Sequence, residues 1–187
     1  MKRFTVIGGV NGVGKSSLTG VLSRVDRSLG VIVNADNLIK IHGSSLMGGK
    51  AALGIISHCL ENNLDFSQET TLSGKRVLRT IQAAKNKGYH IRLFYVALSS
   101  AEESLHRIEN RVRKGGHDIP AEDVRRRFQN RFEDLAKVLP YCDEVHFFDN
   151  ENGFVYVGEY RNGQLFTIKD YIPDWVKELK EYLSKAR

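Results

Sequence analysis

The sequence predicts a three-layer α/β fold: a five-stranded parallel sheet between helices, extended by a C-terminal β-hairpin and helix. Three observations predict it. Short β-branched or aromatic runs alternate with longer stretches of helical periodicity along the chain. The run from Tyr89 to Leu98 carries Ile91, Leu93, Phe94, Tyr95, Val96 and Leu98 with almost no polar alternation, the pattern of a strand buried on both faces. The first strand-like run also breaks on a glycine-rich turn that opens directly into a helix.

Each element has its own signal. Phe4-Thr5-Val6-Ile7 is strand one, and Leu18, Val21, Leu22 and Val25 give the helix after the turn its apolar face. Leu29-Gly30 breaks that pattern. Val31-Ile32-Val33 is strand two, running into Asn34-Ala35-Asp36, where a helix starts with Asp36 or Asn37 as its N-cap. After Gly43-Ser44-Ser45, Leu46 to Asn62 reads as a longer helix despite three glycines. Asp65 to Thr71 is weakly strand-like in composition but lies where an alternating fold places strand three. Ser73 is expected to cap the next helix, whose apolar face is Val77, Leu78, Ile81 and Ala84.

Beyond the buried strand, Ser99-Ser100 with Glu102 and Glu103 starts a helix to Lys114, Gly115-Gly116 ends it, and Pro120 opens another through about Lys137. Residues 101–138 therefore read as a helical lid. Val145 to Phe148 is strand five. Within 151–187, Asn162-Gly163 signals a hairpin between Phe154–Tyr160 and Leu165–Ile168, and Pro173 opens a terminal helix to Lys185. The 187 residues contain no repeat or linker, so residues 1–187 are expected to form a single domain.

The turn carries the chemistry. Gly9 to Ser16 satisfies G-x-x-x-x-G-K-[ST], the phosphate-binding loop, in the strand–loop–helix setting that the motif requires. A backbone wrapping a triphosphate with its N–H groups inward needs positions without Cβ, which Gly9, Gly12 and Gly14 supply. Lys15 is expected to pair with the β and γ phosphates, and the Ser16 hydroxyl to ligate Mg²⁺. The expected ATP-binding residues are thus Gly9, Asn11, Gly12, Val13, Gly14, Lys15, Ser16 and Ser17 on a P-loop NTPase/kinase-like fold.

Parallel sheets bind ligands at the carboxyl ends of their strands, so Gly9, Asp36 and Glu69 are expected on one rim. Asp36 reads as a general base for an acceptor hydroxyl, or as a plain helix cap. Glu69 and Thr70 read as substrate-binding. No apolar run ends in the usual second acidic motif of such sites, so Glu69 is a candidate for that place as well. Among the arginines between Glu102 and Arg131, Arg111 and Arg127 are expected to contact phosphate and His117 to sit on the lid near the substrate. The competing reading for each arginine is a solvated basic face paired with nearby acids.

Gly8 to Ser16, Asn34-Ala35-Asp36, Glu69-Thr70-Thr71-Leu72-Ser73-Gly74, Tyr95-Val96-Ala97-Leu98, the segment from Arg111 through Gly115-Gly116-His117-Asp118-Ile119-Pro120, and Arg125-Arg126-Arg127-Phe128 resemble, in order, the blocks of the zeta-toxin-like P-loop kinases. The resemblance is to their compact, non-toxin branch and covers about residues 3 to 150. It implies a kinase fold and Asp36 as the general base. The toxins in that family phosphorylate a hydroxyl of a UDP-activated amino sugar. They follow the aspartate with an arginine and a His-Pro pair, whereas this chain has Asn37-Leu38-Ile39 and a lone His42. By position, Asp149-Asn150 lies where kinases of this kind hold adenine.

Composition narrows the function classes. A net charge of +6 suits phosphate handling and nucleic acid alike, and no stacking platform or recognition helix supports nucleic acid. Two cysteines without C-x-x-C spacing exclude a disulfide scaffold and a zinc site. No run approaches the roughly 18 apolar residues of a membrane span, and a soluble, cytoplasmic protein is expected. The expected activity is ATP- and Mg²⁺-dependent phosphotransfer to a hydroxyl of a small-molecule acceptor, with a nucleotide-activated sugar as one candidate. The alternative is a nucleotide-binding ATPase or switch. The resemblance leaves room for an antitoxin-like protein partner that no residue specifies.

Overall fold

The computed structural model describes residues 1–168 and 171–185; Lys169, Asp170, Ala186 and Arg187, which the single-domain and C-terminal readings include, lie outside the described residues. Seven strands form one sheet: β1 (Arg3–Gly8), β2 (Val31–Val33), β3 (Phe66–Thr70), β4 (His90–Ala97), β5 (Glu144–Asp149), β6 (Val155–Arg161) and β7 (Gln164–Thr167). Their order is β2-β3-β1-β4-β5-β6-β7. The five expected parallel strands are β1 to β5. The hairpin does not stand apart; it pairs antiparallel onto β5 and raises the count to seven.

The helices are α1 (Lys15–Val25), α2 (Ala35–His42), α3 (Ser45–Glu61), α4 (Lys75–Asn86), α5 (Ala101–Arg113), α6 (Ala121–Gln129), α7 (Arg131–Val138) and α8 (Asp174–Lys185). Apolar side chains of α3, α4, α7 and α8 pack on one face of the sheet with Phe4, Val6, Phe66, Leu93 and Tyr95. On the other face a smaller cluster of Ile7, Val10, Val13, Leu18, Phe94, Val96 and Leu98 lies under the glycine-rich loop. Ile91 to Ala97 of β4 are all buried, as a run that is apolar but for Arg92 requires. Among the described residues no helix is long and apolar enough to cross a membrane.

Three local expectations are corrected. The N-cap of α2 is Asn34, whose side-chain oxygen accepts from the Asn37 N–H at 3.0 Å. The chain leaves β2 after Val33, so Asn34 holds the extended backbone that a cap needs and Asp36 falls in the first turn. Gly74, at φ 82°, takes the cap position of α4, and the Ser73 hydroxyl is bonded to that of Thr71 instead. The single helix after Pro120 is two, broken at Asn130. Phe128 and Phe132 would share a face of one continuous helix, yet Phe128 packs on the smaller cluster and Phe132 in the larger. The break turns α7 onto the main core.

At the end of β5, Asp149 is 1% exposed and accepts from the Trp175 indole at 2.8 Å and the Tyr171 hydroxyl at 3.1 Å. Its carboxylate is thereby committed to fastening the C-terminal helix. Asp149→Ala leaves a buried indole N–H unpaired and is expected to cost about 3 kcal/mol in a urea unfolding measurement, against at most about 1.5 for Asp149→Asn, which keeps an acceptor oxygen.

Candidate active site

The loop after β1 sits where the strand order reverses, with β3 on one side of β1 and β4 on the other. Gly8 is in register with Thr70 and with Tyr95, so the loop and the ends of β3 and β4 share one rim. Close approach, not flexibility, demands glycine there. A Cβ on Gly9, at φ +142°, would lie 2.2 Å from the Val96 carbonyl oxygen, and one on Gly12, at φ +79°, would lie 2.5 Å from that of Ser104. Behind Gly14, the Asn150 side chain donates to the Val13 carbonyl at 2.8 Å. The loop is wedged between the end of β4, helix α5 and the turn after β5.

Lys15 is the first residue of α1, and its ammonium donates to the carbonyls of Gly9 and Val10, both at 2.8 Å. Burial lowers its pKa to about 8, against the opposing pull of Glu69 and Asp36; Arg111 and Arg127 push it further down. Cations beside a cation mark a site built for negative charge.

Glu69, at the end of β3, is the node of the polar network. Its carboxylate accepts from the Ser16 hydroxyl at 2.6 Å, the Thr19 hydroxyl at 2.8 Å and the Asn34 amide at 2.8 Å. One acid thus joins the start of α1 to the exit of β2. Ser16 and Glu69 together offer the hard oxygens that Mg²⁺ takes. Among the described residues no group of three or more His, Cys, Asp or Glu could hold a metal, so an ion here would draw its other ligands from phosphate oxygens and water.

Two chambers meet at this network. One, of about 170 Å³, is lined by Gly12, Gly14, Ser16, Ser17, Arg107 and Arg111. The other, of about 230 Å³, is lined by Asn34, Ala35, Gln68, Thr70, Thr71 and Arg127. Asn11, Lys15, Asp36 and Glu69 line both. Arg127 reaches from α6 to donate to the Asn11 side chain at 2.7 Å, and Arg111 donates to the His117 carbonyl at 2.6 Å. The Nε of Arg111 is buried without a partner, as is the side-chain oxygen of Gln68. Leu72, buried beneath Gly8, holds the left-handed φ of 62°, and its N–H donates to the Thr70 hydroxyl at 3.0 Å. Strain at a branched residue so near the rim fixes where Thr70 and Thr71 stand.

The structure thus gathers Asn11, Gly12, Gly14, Lys15, Ser16, Ser17, Asp36, Glu69, Thr70, Arg111 and Arg127 on the walls of the two chambers, with Gly9 and Val13 in the same loop; Asp149, bonded to Trp175, stands apart, as does His117. That side chain is exposed and lines neither chamber; only its carbonyl is engaged. Asp36 is exposed at the mouth of both chambers. Sequence reasoning missed Asn34, which caps α2 with its oxygen and holds Glu69 with its nitrogen, and also Gln68, Thr19 and Arg107. The rule that ligands gather at strand ends would have pointed to Asn34 and Gln68.

Comparison with known proteins gives the family and the fold. The family model described as zeta toxin matches residues 2–159. An uncharacterized protein of Haemophilus influenzae is 30% identical over 122 residues, which cover 62% of this chain and 84% of that one. The PezAT chromosomal toxin–antitoxin system of Streptococcus pneumoniae supplies a similar fold, with a TM-score of 0.62 at 16% identity over 99% of this chain and 85% of that one. The AvrRxo1-ORF1:ORF2 structure with ATP gives a TM-score of 0.67 at 16% identity, over 98% of this chain and 64% of that one. With a family model spanning the strand–loop–helix unit, both chambers and the arginine-bearing helices, the chain belongs to the zeta-toxin family of P-loop kinases.

Proposed function

We propose that this protein is an ATP- and Mg²⁺-dependent phosphotransferase acting on a hydroxyl of a small metabolite. One observation carries the reading: a cation-lined phosphate chamber and a second polar chamber share the walls formed by Asn11, Lys15, Asp36 and Glu69. A nucleotide switch has no use for the second chamber. Donor and acceptor need only be held in line, because phosphoryl transfer asks little covalent chemistry of the protein. An ATP-bound relative of the same fold supports the choice of nucleotide.

The loop N–H groups and the start of α1 would hold the phosphates, with Lys15 turning from its carbonyls to the β and γ oxygens. Mg²⁺ would be held by Ser16, with Glu69 bonded behind it, and would neutralise charge on the transferring group. Arg111 and Arg127 would bind its equatorial oxygens. Asp36 takes the acceptor proton. Asn34, Gln68, Thr70 and Thr71 suit an acceptor rich in hydroxyl or amide groups. The toxin–antitoxin assembly of the pneumococcal structure is the reason to include an antitoxin-like protein among candidate partners.

Two expectations test this. With labelled ATP, Mg²⁺ and a panel of UDP-sugars, nucleosides and extract metabolites, label should pass to an acceptor. Asp36→Asn should slow that transfer by about 10²–10⁴-fold while leaving ATP affinity in place; unchanged transfer would remove Asp36 as the base. The second concerns pH. Phosphate binds the protonated ammonium, and Lys15 loses its proton at about pH 8 in the free protein. Calorimetric affinity for an ATP analogue should therefore hold below that pH and fall by up to about tenfold per unit above it, whereas Lys15→Arg should show no such fall.

A further inference from the structure

A third cavity, of about 460 Å³, opens between the last turn of α2 and the C-terminal half of α5, lined by Lys40, Arg107, Asn110, Arg111, Lys114 and the Gly115-Gly116 turn. It shares Arg107 and Arg111 with the phosphate chamber. Its wall holds four cations and no carboxylate. Arg107 is partly neutralised by Glu103 at 2.6 Å. The others are not: among the described residues Lys40 and Lys114 find no side-chain hydrogen bond or ion pair, and the buried Nε of Arg111 has no partner.

The spacing on α2 gives the cavity its meaning. Asp36 and Lys40 are four residues apart, the favourable order for an acid–lysine pair on one helical face, yet they form no ion pair. Asp36 turns to the two reaction chambers and Lys40 to the third. Lysines in the last turn of a helix also complement its dipole, but that effect needs no second helix to present cations to the same space.

We propose that this cavity is a subsite for a phosphate monoester group carried by the acceptor. Resting on the kinase reading above, it narrows the acceptor to a phosphorylated hydroxy-compound. The phosphate lies about 6 Å along α2 from the reacting hydroxyl, the rise of four helical residues. A monoester carries a charge of about −1.5 to −2 at neutral pH, which Lys40 and Lys114 can balance.

The test uses methyl phosphate as the probe, titrated by calorimetry into protein saturated with a non-hydrolysable ATP analogue and Mg²⁺, so that the loop cannot take it. Wild type is expected to bind it. The Lys40→Glu, Lys114→Glu double variant should bind it at least about tenfold more weakly, with analogue affinity changed less than about twofold, and Lys40→Arg should retain binding. In the transfer assay, phosphorylated acceptors should be preferred over their dephosphorylated forms by wild type but not by the double variant. Equal methyl phosphate binding by both proteins, or none by either, overturns the inference and leaves the kinase reading standing. Parallel loss of analogue affinity in the double variant would assign the cavity to the donor and overturn it too. Failure of wild type to bind the analogue takes down both.

Discussion

The organisation of this protein depends on how tightly its glycine-rich loop is wedged. The carbonyl oxygens of Val96 and Ser104 press on Gly9 and Gly12 at distances that leave no room for a side chain, and Asn150 closes the third side. The end of β4, helix α5 and the turn after β5 are thus fixed against one loop. Its backbone is held by packing before any ligand arrives, which lowers the ordering cost of binding an anion. The same wedge restricts movement. The N-terminal half of α5 rests on the loop, and α7 is built into the main core through Phe132, Leu135 and Val138. Within residues 101–138, α6 is held as well, through buried Val124, Phe128 on the smaller cluster and Arg127 on Asn11.

On that scaffold the polar groups divide the work by strand. The exit of β1 supplies backbone donors and a lysine, the exit of β3 an acid, and the exit of β2 an amide and a second acid. Glu69 makes these one unit, since a single carboxylate receives the Ser16, Thr19 and Asn34 donors. Removing one donor would loosen the other two. The arginines enter from the opposite side on α5 and α6, so positive charge comes both from the sheet rim and from the helices above it.

The fold was legible wherever a local pattern decided the outcome. Strand β4 is buried on both faces and its residues say so; the Gly9 to Ser16 spacing has few other uses. What stayed hidden depended on partners far along the chain. Asn34 looks like an ordinary turn residue until Glu69, thirty-five positions on, is seen beside it. The division of α6 from α7 cannot be read from Phe128 and Phe132, whose spacing suits one helix, because the two rings belong to different clusters. Asp149 sits where an adenine contact was expected, but Trp175 claims it from twenty-six residues away. His117 was placed by its neighbours in sequence, and the turn that carries it presents a carbonyl to Arg111 and the ring to solvent.

The central claim is that the wedged loop encloses the tail of a nucleoside triphosphate. A crystal structure with a non-hydrolysable ATP analogue and Mg²⁺ tests it most directly. The account predicts β and γ phosphate oxygens within hydrogen-bonding distance of the N–H groups of residues 12–16, with the Lys15 ammonium moved from the Gly9 and Val10 carbonyls onto them. An analogue bound elsewhere, with Lys15 still on those carbonyls, would contradict it.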